Sequence, residues 1–136
     1  MSIFIPKFAD RVYFVNWEGN IVNYVICNSE QSTHLIKSGK CFRTEEDAVR
    51  ARNRSYANRE LEVLADELNG RVDIDWEDLD QEKFFIEYNY AIKCFEYYST
   101  GGHWRGETTY CLDYNFLEVA LEKLGENKLR LILEVE

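Results

Sequence analysis

The sequence predicts an α+β fold built from two similar ββ–βα modules, with antiparallel sheets packed on one long central helix and a shorter C-terminal helix. Three observations predict it. Residues 44 to 70 keep a helical period with a cap at each end. On both sides of that helix lie runs rich in aromatic and β-branched residues, punctuated by turn residues. The junctions KCFRTEEDAVRA and TYCLDYNFLEVA repeat one order: an aromatic or Cys, then a cap, then an apolar helical face. The 136 residues are accordingly expected to form a single domain of two pseudo-repeats, 11–70 and 83–135, joined by an acidic connector at 71–82.

Arg11 to Trp17 reads as a strand, since Val12 and Phe14 share one face and Tyr13, Val15 and Trp17 the other. Glu18-Gly19-Asn20 supplies a turn, and Ile21 to Cys27 returns as the second strand of a hairpin. Asn28 to Gly39 is polar and is expected to be a loop, and Lys40 to Arg43 a short third strand. Thr44 is placed to cap the long helix by accepting from the Asp47 N–H, and Glu45, Glu46 and Asp47 lie at the positive end of its dipole. Ala57, Leu61, Leu64, Ala65 and Leu68 recur on one face, with Ala48, Ala51 and Tyr56 extending it, and Asn69-Gly70 closes the helix.

Beyond the connector, Lys83 to Tyr90 and Ala91 to Tyr98 read as a second hairpin, Ser99 to Gly106 as a flexible loop and Glu107 to Leu112 as a third strand. Asp113 is expected to cap a helix from Tyr114 to Leu124, which Gly125 closes. Residues 127 to 135 fit either a helical or a strand period.

The composition bounds the function. Hydrophobic residues make up 46 % and aromatics 15 %, ample for a packed core, and one Pro argues against a linker-rich chain. No apolar run approaches a membrane span, and the first residues lack the pattern of a signal peptide, so a cytoplasmic setting inside a host cell is expected. Cys27, Cys41, Cys94 and Cys111 are far apart, so free thiols are expected, with no metal and no cofactor. The net charge of −9 opposes direct binding to nucleic acid or to an anionic membrane and favours a basic partner.

That charge is concentrated. Residues 60 to 87 hold eleven acids against two bases and so carry the whole net charge of the chain. Asp73, Asp75, Glu77, Asp78, Asp80 and Glu82 alternate with apolar residues in the connector, with Trp76 as an apolar anchor among them; these seven are the expected partner-binding residues. The alternative ligand-binding set is Arg50, Arg52 and Arg54 of the long helix with His103, Trp104 and Arg105 of a Gly-flanked loop. Trp104 and Arg105 are the residue types that stack on and pair with a nucleotide. No phosphate-binding glycine motif and no paired nucleophile and base stand out, so no catalytic residue is assigned and a non-enzymatic protein is expected.

Three segments carry a resemblance. Phe42-Arg43 followed by TEEDA, Trp76 through Gln81-Glu82 into KFFIEYNY, and Tyr110-Cys111 followed by LDYNFLEVALEKLGENKL resemble motifs of small accessory proteins of phages and prophages of Gram-positive bacteria, over roughly residues 11 to 133. Asp113 stands where that family has a Ser cap and Asn127 where it has Asp. The matching residues are caps, turn glycines and core aromatics. The resemblance therefore implies a fold and a phage setting, and no catalytic site. Together with the acidity it yields the first functional expectation: inhibition of a bacterial defence system by binding the basic, nucleic-acid-binding surface of a host protein, in the manner of an anti-CRISPR or DNA mimic. A sponge for a nucleotide immune signal is the second expectation, and a structural or regulatory phage protein without a host target the third. The long helix and the apolar LRLILEV tail also allow a homodimer.

Overall fold

A computed structural model describes residues 3 to 136. In chain order the elements are β1 (Arg11–Val15), β2 (Ile21–Val25), α1 (Glu30–Ser38), α2 (Glu45–Asn69), β3 (Lys83–Asn89), β4 (Cys94–Thr100), α3 (Phe116–Lys123) and α4 (Glu126–Ile132). The fold is mixed helix and strand, with two two-stranded antiparallel sheets, β1–β2 and β3–β4. The chain divides into two compact units within α2: the first ends at Asn53 and the second runs from Arg54 to Glu136. The sequence repeat places its boundary elsewhere, at the connector, because its period keeps α2 whole within residues 11–70.

In the first unit the β1–β2 hairpin turns through Asn16–Asn20. Asn16 Oδ1 accepts from the N–H groups of Glu18 and Asn20, and Gly19 takes φ 84°, where a Cβ would be strained. The segment expected to be a loop, 28 to 39, contains helix α1. Ser29 caps it by accepting from the Ser32 N–H, and Gly39 ends it at φ 66°. Its inward face offers only Leu35 and Ser32, so no apolar period marks it in the sequence. Ser32 is 2 % exposed yet satisfied, its Oγ accepting from the Cys27 N–H at 2.9 Å. The core of this unit is Val12, Ile26, Leu35 and Cys41.

Helix α2 follows its sequence signals. Thr44 Oγ1 accepts from the Asp47 N–H at 3.1 Å, and Gly70 takes φ 63° just past the last turn. With 25 residues the helix is about 37 Å long. Ala57, Leu61, Leu64 and Ala65 are buried and Leu68 is half-buried, as their spacing predicts. Tyr56, expected to extend the apolar face, is instead exposed.

In the second unit the β3–β4 turn occupies Tyr90 to Lys93, so β4 starts three residues later than its apolar run suggests. Asn89 Oδ1 accepts from the Ala91 and Ile92 N–H groups, and Lys93 takes φ 55°. Asp113 does not cap α3 directly; its Oδ1 accepts from the Asn115 N–H, one residue before the helix. Residues 126 to 132 are helical, with Leu129 and Ile132 buried one turn apart. Ten residues form the buried cluster of this unit, including Leu61, Ile86, Cys111, Phe116 and Leu129.

The two expected third strands reduce to single bridges, Tyr13–Phe42 and Phe84–Cys111. Each is a reciprocal pair of backbone hydrogen bonds: Tyr13 and Phe42 at 2.9 and 2.7 Å, Phe84 and Cys111 at 2.7 and 2.9 Å. Each joins the first strand of its hairpin to a residue two positions before Thr44 or Asp113. The remaining residues of 40–43 and 107–112 turn away too early to extend the ladder.

Candidate partner-binding surface

The connector between α2 and β3 is built by short-range hydrogen bonds of its own polar residues. Asp75 Oδ1 accepts from the Glu77 N–H and Asp78 Oδ1 from the Asp80 N–H, two turns in which a carboxylate replaces a backbone acceptor. Gln81 closes the segment: its Oε1 accepts from the Asp75 N–H at 2.7 Å and its Nε2 donates to the Asp73 carbonyl at 3.1 Å. Acidic side chains thus shape the backbone locally and still present charge outward.

Lys83 fixes this segment to the rest of the second unit. Its side chain is fully buried at the start of β3. The ammonium donates to the carbonyl of Asp78 at 2.7 Å and to the carbonyl of Gly101, and it lies 5.3 Å from the centre of the Trp76 ring. A buried cation is tolerated only when its donors are accepted, and two carbonyls with an aromatic face do that here. Tyr110 meets Trp76 edge to face at 4.8 Å, accepts from the Arg105 N–H and donates to the His103 carbonyl. Gly101 and Gly102 let the connector lie on the loop after β4. A Cβ on Gly101 would stand 2.4 Å from the Leu79 carbonyl oxygen, and one on Gly102 would stand 2.7 Å from Leu79 Cδ2.

The six carboxylates Asp73, Asp75, Glu77, Asp78, Asp80 and Glu82 are all exposed. Among the described residues the ion pairs are Arg54–Glu134, Arg59–Glu62, Arg105–Glu87, Lys128–Glu60 and Arg130–Glu126, and none involves these six. Trp76, expected as an apolar anchor, is half-buried and spent on Lys83 and Tyr110. Leu79, 69 % accessible, and Val72 are exposed apolar side chains beside the acids. Gln81 and Tyr110 enter the sequence reading only through the resemblance, and neither Lys83 nor Gly101 has a site role there. Lys83 did carry a signal, as a lone charge opening the apolar run KFFI.

The alternative set is distributed. Arg50 and Arg52 belong to the first unit, and Arg54, His103, Trp104 and Arg105 to the second. Arg52 donates to the Gly19 carbonyl, and Arg54 to the Ile132 carbonyl with Glu134 at 3.8 Å. Arg105 is paired with Glu87 at 2.9 Å and lies over Phe85. His103, Trp104 and Arg50 are exposed. Among the described residues no group of three or more His, Cys, Asp and Glu side chains could hold a metal ion, and no helix is long and apolar enough to cross a membrane.

Comparison with protein-family models, with curated proteins and with solved structures finds no match to this chain.

Proposed function

We propose that this chain is a non-enzymatic binding protein of a phage or prophage that inhibits a bacterial defence system by covering a basic, nucleic-acid-binding surface of a host protein. One observation carries the reading. Six exposed carboxylates with no ion-pair partner among the described residues stand on a segment whose backbone is already pinned by Gln81 and Lys83. A backbone already pinned loses little conformational entropy when a partner docks, and no internal ion pair of the described residues must break first. A concentrated negative field also steers a cationic surface onto the site and raises the association rate. The phage setting comes from the motif resemblance, and the defence target from the chemistry such a surface fits.

The test is competition with DNA. A basic protein recovered with this chain from host lysate would be loaded with fluorescent duplex, and the chain titrated in at several salt concentrations. The expected result is displacement that weakens as salt rises. Asp75→Asn/Asp78→Asn/Asp80→Asn should weaken it at least about tenfold, since each screened charge pair contributes up to roughly 1 kcal/mol. Displacement by the triple variant equal to that of the parent chain rejects the surface.

A further inference from the structure

Strand β4 ends its sheet with an open edge. Phe84 of β3 turns both of its backbone groups to Cys111, through the reciprocal bonds at 2.7 and 2.9 Å. Antiparallel strands alternate the side on which successive residues bond. Lys83, Phe85, Glu87 and Asn89 are therefore the residues that bond across to Thr100, Tyr98, Glu96 and Cys94. The N–H and C=O groups of Phe95, Tyr97 and Ser99 point away from β3, and none has a hydrogen-bond partner among the described residues. Tyr97 and Ser99 are exposed and Phe95 is half-buried. Sheet edges left in water are usually blunted by Lys, Pro, a bulge or shortness. β4 has none of these: it runs seven residues, CFEYYST, in unbroken register. The edge of the other hairpin is weaker, since β2 has five residues with Asn23 at its midpoint, a poor strand former already bonded to Arg11.

The strand is also complementary to itself. Its midpoint, Tyr97, is one of the outward-bonding residues. A twofold axis there sets Tyr97 against Tyr97, Phe95 against Ser99, Glu96 against Tyr98 and Cys94 against Thr100 of a second copy. Reciprocal backbone bonds then join the Tyr97 pair and each Phe95 to Ser99. Tyr97 is 51 % exposed although it stands opposite buried Ile86, and the two rings would cover each other. On the other face the Glu96 carboxylate already accepts from Asn89 Nδ2 and from the Tyr98 hydroxyl of its own chain. Across the axis it meets a second tyrosine hydroxyl, a donor, rather than a like charge. An axis at Glu96 would oppose two carboxylates, and an axis at Tyr98 would shorten the overlap. This full-length match is what selects a second copy over a foreign strand.

We infer that β4 is a dimerisation strand: two copies of this chain pair β4 to β4, antiparallel about Tyr97, into one continuous sheet. The surface is separate from the acidic connector, and it differs from the long helix and the LRLILEV tail on which the sequence allowed a homodimer.

Sedimentation equilibrium of the full chain tests association, and a cross-link tests register. A single strand pair is a small interface, so a reversible, concentration-dependent dimer is expected. Tyr97→Pro removes an outward N–H and no bond to β3, a position at which edge strands accept Pro. It should weaken the dimer at least about tenfold, the equivalent of the bonds lost at the axis, with an unchanged circular dichroism spectrum. Ser99→Pro does the same at the next outward position, should Tyr97→Pro not fold. Thr100→Cys places a thiol opposite exposed Cys94 of the second copy, about 4.5 Å between Cα atoms and within disulfide reach. Within one chain the same two positions lie at opposite ends of β4, roughly 20 Å apart. Mild oxidation should therefore give covalent dimers whose disulfide, located by peptide mapping, joins residues 94 and 100 of different chains. A monomer at every concentration up to about 1 mM overturns the assignment. So does a dimer undiminished by both proline variants, or one in which Thr100→Cys yields no such cross-link.

Discussion

The two units close in the same way and fill the closure differently. In each, a hairpin's first strand is joined by a reciprocal backbone bridge to a residue just before a helix, Tyr13 to Phe42 and Phe84 to Cys111. Between hairpin and bridge the first unit inserts α1, and the second inserts a glycine-containing loop from 101 to 110. The first unit buries a cluster of four residues and the second a cluster of ten. The backbone device is therefore separable from what it carries. A helix in the insert supplies core at Leu35. A loop supplies a bed on which the acidic connector can lie, because Gly101 and Gly102 leave room for Leu79.

The largest expected effect tests the difference in core size. Phe116 is fully buried in the second cluster, and Phe116→Ala should cost about 3–5 kcal/mol. Val12 is equally buried in the smaller first cluster, and Val12→Ala should cost less, about 1.5–3 kcal/mol. Chemical denaturation followed by far-ultraviolet circular dichroism would read both units, and tryptophan fluorescence would add a signal mainly from the second, where half-buried Trp76 lies while Trp17 and Trp104 are exposed. Equal losses from the two substitutions would mean that cluster size does not decide stability here.

The same contrast explains what could be read from the sequence. The period of Ala57, Leu61, Leu64 and Ala65 exposes α2 because burial repeats there every turn. Hairpins showed through β-branched and aromatic runs. Helix α1 did not show, because its buried face is one Leu and a Ser whose hydroxyl is satisfied by tertiary partners rather than by period. The third strands were read too long because a single bridge leaves no alternation to detect. At the surface the acids were legible as charge. Their rigidity was not, since it depends on Lys83 reaching carbonyls at Asp78 and Gly101, contacts that sequence spacing does not encode. The contacts of Trp76 with Lys83 and Tyr110 are not legible for the same reason.

A smaller effect isolates the bed of the connector. Gly101→Ala would drive a methyl group into the backbone of Leu79 and should cost about 1–3 kcal/mol, as overpacking does. The cost falls on the second insert alone. Amide exchange is expected to speed up at Asp75, Asp80 and Lys83 while Ser32 and Thr33 of α1 stay as protected as before. Uniform acceleration over both inserts would show that they are not independent.

The smallest effect uses two thiols as reporters of the two closures. Cys41 precedes the first bridge residue and Cys111 is the second bridge residue, and both are buried. Burial pushes both thiols above the usual cysteine range, so neither is a ready nucleophile while its unit is closed. Exposed Cys27 runs the other way: its hydrogen-bonded contacts with Ser29, then with Tyr24 and Ser32, lower its pKa and favour the thiolate. Cys27 should therefore label first at neutral pH, and the buried pair only through opening. The smaller core predicts that Cys41 labels faster than Cys111, and peptide-resolved labelling with a chloroacetamide reads both rates in one sample. The pH dependence has a definite sign. Below the free-thiol pKa of about 8.5 folded and unfolded chains both hold these protons, so stability is flat. Above it the unfolded chain releases them first, and each raised thiol removes up to about 1.4 kcal/mol per pH unit until the folded pKa is passed. Cys111→Ala should flatten the alkaline fall for the second unit only. Identical labelling of Cys41 and Cys111 across that range would mean the two bridges open as one event, and the contrast between a four-residue and a ten-residue core would carry no consequence for dynamics.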